Sequence, residues 1–463
     1  MVPGVRARLR GTVRDRLPAV RAGARGGVGA GGLGGGGGVA LPAIAQTRLF
    51  GLSWLAIAPG RVNLIGEHTD YNGLPVFPMA IDRDVRIEFA VADGPVVRLD
   101  SALARFDPFT FQLKRPIEAA GQGHWSNYVR AAAKGLLEHG VRLERGIEGI
   151  VTGNVPIASG LSSSSALVVA SALALLKANG VEVARDAGPA PTISRLELAA
   201  LMARAERFVG LEGGGMDQAA CLHGVAGHAL RIEFEPLRVT PVAVPEGWRW
   251  VVVSSLVRAE KSGTARDAYN ERARQCREAL ELVRGAFAND RPATTTDDRP
   301  GAVALGYDDL VADADMEVLL RRARSVLAPV LFRRFRHVVT EGRRVALAEV
   351  AMRDGDMRAF GDLMVESHKS LRGDYEVSTP ELNAIVEVAL KAGAAGARLT
   401  GAGFGGCAVV LCGDTAVGPV MKELVARFYE PRLGRAPTHD EMFAPKPSGS
   451  ARVQIADSSG GGL

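Results

Sequence analysis

The chain has 463 residues, 47% apolar and 23% charged, the balance of a soluble folded protein with a core large enough for two lobes. The net charge of +5 does not mark a nucleic-acid binder, because residues 1–50 hold eight arginines against the single acid Asp15, a balance of +7 that leaves −2 for the rest. The longest nearly apolar run, SALVVASALALL from Ser165, is shorter than the ~18 residues of a membrane span. Four cysteines without CxxC or histidine spacing exclude a disulfide framework and a zinc site, and favour the cytosol.

Residues 1–46, rich in Arg, Gly and Ala, cannot bury a core and read as a disordered extension, with a targeting peptide or an unused upstream start as alternatives. From about Gln46 regular structure is expected. WLAIAPG reads as a strand into a turn and DVRIEFAVAD as an alternating strand. HWSNYVRAAAKGLLEHG reads as a helix closed by Gly140. The strand-like GIEGIVTGNVP leads into a glycine and serine turn and then a buried helix, ASGLSSSSALVVASALALLKANG.

SRLELAALMARAERFVG opens on a Ser194/Glu197 capping box and ends at Gly210. HALRIEFEPL, the strand RWVVVSS and a charged helix around AYNERARQCREALELV come next, then a surface loop over 288–304. Helices through MRAFGDLMVESHKSLR and STPELNAIVEVALKAG precede RLTGAGFGGCAVVLC, a glycine turn running into a strand. Residues 454–463 read as a flexible tail. Strands and helices mix without regular alternation, which predicts an α+β fold.

Four segments carry candidate chemistry. SGLSSSSA (159–166) sits between a strand and an apolar helix, where small residues turn backbone N–H groups toward an anion at the positive helix end. It is neither a Walker A loop nor a GxGxxG loop, and a Ser-capped helix start is the plainer alternative. TGAGFGGC (400–407) is a second backbone-exposing loop, alone equally readable as a tight turn. In EGGGMDQA (212–219), Asp217 is either a helix N-cap or a carboxylate aimed at a substrate hydroxyl. A carboxylate at a positive helix end is held ionised and makes a weak general base.

Leu198, Met202 and Glu206 form one row of a helix, which puts Glu206 on or beside the apolar face, as a surface carboxylate or a magnesium ligand. The fourth segment, APGRVNLIGEHTDYNG (58–73), crowds Arg61, Asn63, Glu67, His68, Asp70 and Tyr71 beside apolar residues, where buried polar groups need partners.

GRVNLIGEHTDY resembles the signature of galactokinases, and SGLSSSSA and TGAGFGGC resemble the second and third motifs of the GHMP kinases. With FPMAID, HWSNYVRA, GGGMDQ, YNERARQC, FRRFRHVVTE and FGDLMVESHKSLRGDYEVSTPEL, the resemblance extends from about Thr47 to Val453. It implies a two-lobed α+β fold: an N-terminal lobe (47–237) like the second domain of ribosomal protein S5, and a ferredoxin-like C-terminal lobe (238–453). The active site would lie in the cleft between them.

It also implies an ATP- and Mg2+-dependent sugar 1-kinase, cytoplasmic and monomeric, with sugar and ATP as its ligands and no nucleic-acid or membrane partner. By the same carry-over, Arg61 and Asp217 flank the reacting anomeric hydroxyl. Glu67, His68, Asp70, the backbone of Gly214 and Tyr269 hold the sugar. Gly160, Leu161, Ser162, Ser163, Ser164, Ser165 and Gly403 receive ATP, with Trp125 and Tyr128 at the adenine and Ser164 and Glu206 at the metal. VGLEGGGMDQ and RIEFEPLR look more like the N-acetylgalactosamine kinase branch, whereas Tyr269 and the intact first motif look more like galactokinase. Galactose is the expected substrate. N-acetylgalactosamine is the alternative, and a silent sugar sensor is disfavoured by the intact phosphate loop and Asp217.

Overall fold

Twelve consecutive residues, Trp54–Ile65 (β1), form the long strand on which a six-stranded sheet is assembled in the computed structural model, which describes residues 53–456 apart from 187, 190, 211, 259–263, 289–305 and 314. β1 is antiparallel to β2 (Phe77–Val91). β3 (Val96–Ser101) and β4 (Phe109–Gln112) follow, then helix α1 (Ser126–Glu138) and β5 (Ile147–Gly153), which joins β2 antiparallel and β3 parallel.

Helix α2 (Ser163–Ala178) is buried on all sides except at Ser163, Ser164 and Lys177, as its uninterrupted apolar sequence requires. It packs against α1, β1 and β2. Two short paired strands, β6 (Glu182–Ala184) and β7 (Thr192–Ser194), lead into α3 (Arg195–Glu206). The expected cap forms there: Ser194 Oγ accepts from the Glu197 amide at 3.1 Å. Helix α4 (Met216–His223) and the hairpin β8 (His228–Phe234) and β9 (Leu237–Ala243) follow. The expected lobe division at 237/238 therefore falls at the start of β9.

β10 (Trp248–Ser254) opens the second half. Five helices come next: α5 (Thr264–Ala288), α6 (Tyr307–Asp313), α7 (Met316–Val326), α8 (Pro329–Asp354) and α9 (Met357–Ser370). A wide turn over Leu371–Tyr375 extends α9. After α10 (Pro380–Lys391), β11 (Gly396–Thr400) and β12 (Cys407–Gly413), the chain passes through α11 (Val417–Leu424), α12 (Glu430–Leu433) and β13 (Met442–Phe443). β11, β12, β10 and β13 make a four-stranded antiparallel sheet, with α9 and α10 packed on β11.

The last strand, β14 (Arg452–Ile455), returns to pair with β1, Trp54 opposite Ile455 and Leu55 opposite Gln454. Regular structure thus runs two residues into the segment read as a tail. Two apolar clusters make the core: one around β1, β2, α2 and α4, the other around α5, α8, α10 and the opposite face of β10 to β12. The extension 1–46 and the loop 289–304 lie outside the described residues.

One local expectation is corrected. Pro59-Gly60 does not end the first strand; it is a bulge, with the β1/β2 register shifting between Pro59 and Arg61 while the strand continues to Ile65. Gly60 is there for close approach, since a Cβ would meet the Leu161 carbonyl at 2.9 Å.

Candidate active site

The bulge re-aims Arg61. Its backbone N–H donates to the Leu161 carbonyl at 3.1 Å, and its Nη1 to the Gly160 carbonyl at 2.5 Å, so the strand is tied to the glycine and serine loop. Nε and Nη2 then reach a single oxygen of Asp217, at 2.7 and 2.6 Å. Asp217 does not cap its helix. Gly215, at φ 109°, is the N-cap of α4, and Asp217 stands in the first turn.

Its second oxygen accepts from Ser165 Oγ at 3.2 Å, and the same hydroxyl lies 2.7 Å from Glu206 Oε2. Gln218 Nε2 donates to that Glu206 oxygen as well. Leu198, Met202 and Glu206 are all buried, so the row read from the sequence does place this carboxylate on the inner face of α3.

The glycine and serine loop ends with Ser162 in the left-handed region (φ 68°) at the N-cap of α2. Of its predicted members, Gly160, Ser162, Ser163 and Ser164 line a cleft of about 1600 Å³. Leu161 and Ser165 do not: one side chain is buried in the core, the other is the buried hydroxyl between the two carboxylates. The second glycine loop closes against the first, since a Cβ on Gly401 would meet the Gly160 carbonyl at 2.7 Å. Gly403 (φ 77°) lines the cleft too, and a Cβ there would meet the Val377 carbonyl at 2.5 Å.

Trp125, just before α1, and Tyr128, in its first turn, line the same cleft. Trp125 is fixed by Nε1 donating to the Asp107 carbonyl at 2.9 Å and by edge-to-face packing on Phe109. Tyr269 of α5 meets the His68 and Tyr71 rings at 5.6 and 5.5 Å.

The residues of the first motif divide into two kinds. Asp70 faces the cleft and accepts from the Gly214 amide at 3.2 Å. Gly214 must be glycine, because a Cβ would lie 2.4 Å from the Asp70 carbonyl carbon and the Tyr71 nitrogen. Burial and then the neighbouring Asp217 charge push the Asp70 carboxyl up to about 6, against hydrogen bonds from Tyr71, Met216 and Gly214.

Glu67 lines the cleft but is also a brace: one oxygen accepts from Asn63 Nδ2 at 2.6 Å, the other from the Gly401 amide at 2.5 Å, with Arg398 at 3.6 Å. Burial raises its carboxyl, opposed by the Arg398 and Arg61 charges. His68, left-handed at φ 64°, is held well below the usual imidazole range by burial and by His337, and is therefore neutral. Burial and the charges of Asp70, Asp217 and Glu67 likewise keep the Tyr269 phenol protonated.

Several supporting residues were not singled out from sequence. Arg398, wholly buried, donates to the Asn63 carbonyl and Ser367 Oγ at 3.1 Å each and lies between Glu67 and Glu341. Thr400 clamps the backbone of Asn63, its hydroxyl 2.9 Å from the amide and 3.0 Å from the carbonyl. The available signal was an arginine as the single charge within the short GARLT strand, which had to find buried partners.

Two glycine loops meeting over an Arg-Asp pair define a phosphoryl-transfer enzyme of the GHMP kinase class. The models of the GHMP kinases N terminal domain and GHMP kinases C terminal match residues 127–225 and 348–430. The galactokinase galactose-binding signature matches residues 47–91. A galactokinase of Chloroflexus aggregans is 39% identical over 395 residues, covering 84% of this chain and 92% of that one. A galactokinase of Bos taurus is 38% identical, covering 80% and 87%.

The crystal structure of Lactococcus lactis galactokinase complexed with galactose superposes with a TM-score of 0.71 at 29% identity, covering 86% of this chain and 95% of that one. Methanococcus jannaschii mevalonate kinase, at 17% identity and a TM-score of 0.52, shares the fold. The chain belongs to the galactokinase family of GHMP kinases, and it phosphorylates galactose with ATP.

Proposed function

We propose that Arg61 and Asp217 carry phosphoryl transfer to the anomeric hydroxyl of α-D-galactose, giving galactose 1-phosphate and ADP. The observation that carries this reading is their two-pronged pairing under the glycine and serine loop, at 2.6 and 2.7 Å. The C1 oxygen bonds to the γ-phosphorus as the bond to the β,γ-bridging oxygen breaks, and that oxygen leaves with ADP. Asp217 orients the hydroxyl and takes its proton. Arg61 stabilises charge on the transferring group, the division of labour that phosphoryl transfer favours.

Glu67, His68, Asp70, the Gly214 backbone and Tyr269 read the remaining sugar hydroxyls. Support comes from their meeting on one wall of the cleft, where carboxylates and a neutral imidazole offer acceptors and a donor. Gly160 to Ser165 and Gly403 receive the triphosphate, through backbone at Leu161 and Ser165, and Trp125 and Tyr128 flank the adenine.

No cluster of three or more His, Cys, Asp or Glu side chains suited to a resident metal occurs among the described residues. One carboxylate, Glu206, lining the same cleft as Ser164, instead fits Mg2+ arriving with the nucleotide, which needs few protein ligands. When bound, the ion neutralises phosphate charge.

No described helix is long and apolar enough to cross a membrane, and all four cysteines are free and buried. That thiol usage supports a reducing, cytoplasmic setting.

The test is ATP consumption with Mg2+ and D-galactose, N-acetylgalactosamine, L-arabinose or glucose, comparing wild type with Asp217→Ala. Turnover on galactose that the substitution abolishes supports the reading. Undiminished turnover in the variant refutes the role of Asp217.

A further inference from the structure

Behind His68 runs a chain of side-chain hydrogen bonds that does not line the cleft. Tyr71 Oη lies 2.8 Å from His68 Nδ1, Tyr375 Oη lies 2.8 Å from Tyr71 Oη, and Cys276 Sγ lies 3.1 Å from Tyr375 Oη. The three residues come from the first motif, from the wide turn after α9, and from α5. Tyr375 also fills the space between two imidazoles, with ring centres 4.5 Å from His68 and 4.4 Å from His337. His337 is itself anchored to the Glu67 carbonyl at 3.1 Å and to Ser370 Oγ at 2.9 Å. At the other end, His68 Nε2 is buried in a residue lining the cleft; it makes no close, well-aligned hydrogen bond among the described residues, and the Ala402 backbone is the ring's remaining polar neighbour.

The direction of the chain follows from donor and acceptor strength. An unprotonated imidazole nitrogen is a better acceptor than a phenol oxygen, and a phenol O–H is a better donor than a neutral imidazole N–H. Tyr71 therefore donates to Nδ1, Tyr375 donates to Tyr71, and the Cys276 thiol donates to Tyr375. Each phenol then donates once and accepts once, and the His68 proton is left on Nε2. Above about pH 6 the Asp70 carboxylate offers only acceptors, whereas sugar hydroxyls present both a hydrogen and lone pairs. An Nε2–H adds a ring donor beside the Tyr269 phenol.

We propose that Tyr71 and Tyr375 are positioning residues for the sugar, holding His68 in the Nε2–H tautomer and its ring facing the cleft. This rests on the reading of His68 as a sugar contact given above. It goes further in assigning which atom carries the proton and what holds it there.

The test uses the full chain labelled with 15N at its eight histidines, with the His68 resonances identified by their loss in His68→Ala. The expected spectrum shows a protonated, pyrrole-type Nε2 and a bare Nδ1. Tyr71→Phe is expected to populate both tautomers. It should also raise the galactose KM about tenfold, the value of one lost positioning hydrogen bond, while kcat and the ATP KM change far less. Tyr375→Phe moves the same quantities the same way by a smaller factor.

A wild-type His68 protonated on Nδ1 overturns the inference even if neither tyrosine variant folds. So does an unchanged galactose KM in Tyr71→Phe when His68→Ala is defective. An unchanged galactose KM in His68→Ala overturns the sugar assignment itself, and the inference with it.

Discussion

Arg61 and Asp217 stand 156 positions apart and meet through two guanidinium nitrogens on one carboxylate oxygen, with Ser165 Oγ on the other. The pair is largely buried, with side-chain exposures of 5% and 15%, so removing either partner leaves the other charge poorly compensated. Replacing Asp217 with Asn keeps the shape and removes the charge and the proton acceptor. Turnover on galactose is expected to fall by about a hundred- to ten-thousandfold, the usual contribution of a positioned base. ADP release measures kcat, and calorimetry checks that galactose still binds.

Asp70 is expected to set an acid-side limit on galactose use. Its carboxyl sits at about 6, above the ordinary 3.8, so between those values the folded protein holds a proton that the unfolded chain has released. The stability this group contributes is complete below its ordinary value and is lost as the pH rises through about 6. In the proposed site sugar binding has the opposite demand, because there the ionised carboxylate serves as the acceptor. The kcat/KM for galactose is expected to decline as the pH falls below about 6, and Asp70→Asn to abolish that limb. After burial, the Asp217 charge is the next cause of the shift, so Asp217→Asn moves the limb of galactose binding to lower pH.

Gly214→Ala tests the close approach that seats Asp70. The new Cβ would lie 2.4 Å from backbone atoms of Asp70 and Tyr71, which cannot rotate away. A destabilisation of about 1–3 kcal/mol, the common cost of overpacking, is expected in a denaturant titration. Galactose affinity should drop with little change in the ATP KM.

Arg398→Met tests the brace behind the sugar wall. Arg398, Glu67 and Glu341 are all buried. Burial pushes the Glu341 carboxyl up, yet the charges of Arg344, His337 and Arg398 and a hydrogen bond from Ser367 hold it down at about 2. Without Arg398, Glu67 loses its nearest cation and Glu341 one of several, a change that typically costs about 3–5 kcal/mol. Thermal and urea unfolding are expected to show this loss, with a higher galactose KM in whatever folds.

Chelation of Mg2+ is expected to stop turnover, and Mg2+ to restore it. In Glu206→Gln the Ser165 hydroxyl keeps an acceptor, so the defect should appear in the metal requirement. The Mg2+ concentration for half-maximal rate is expected to rise by at least the roughly tenfold that even a lost outer-shell partner costs.

What the sequence by itself determined is the set of local structures and the chemistry they carry. The helix α2 was readable from its apolar run, the α3 cap from Ser194 and Glu197, and the inward face of Glu206 from the spacing of Leu198 and Met202, because these depend on neighbours within two turns. The first motif and the two glycine loops carried the family. Long-range pairing was not readable. Only the folded chain turns Pro59-Gly60 into a bulge, because the Leu161 carbonyl that demands a glycine comes from another element. Only there do Tyr71, Tyr375 and Cys276 join, and only there does Arg398 stand between Glu67 and Glu341. Whether a buried polar side chain braces the wall or faces the sugar is decided by which distant partners the lobes bring to it, and no spacing along the chain records that.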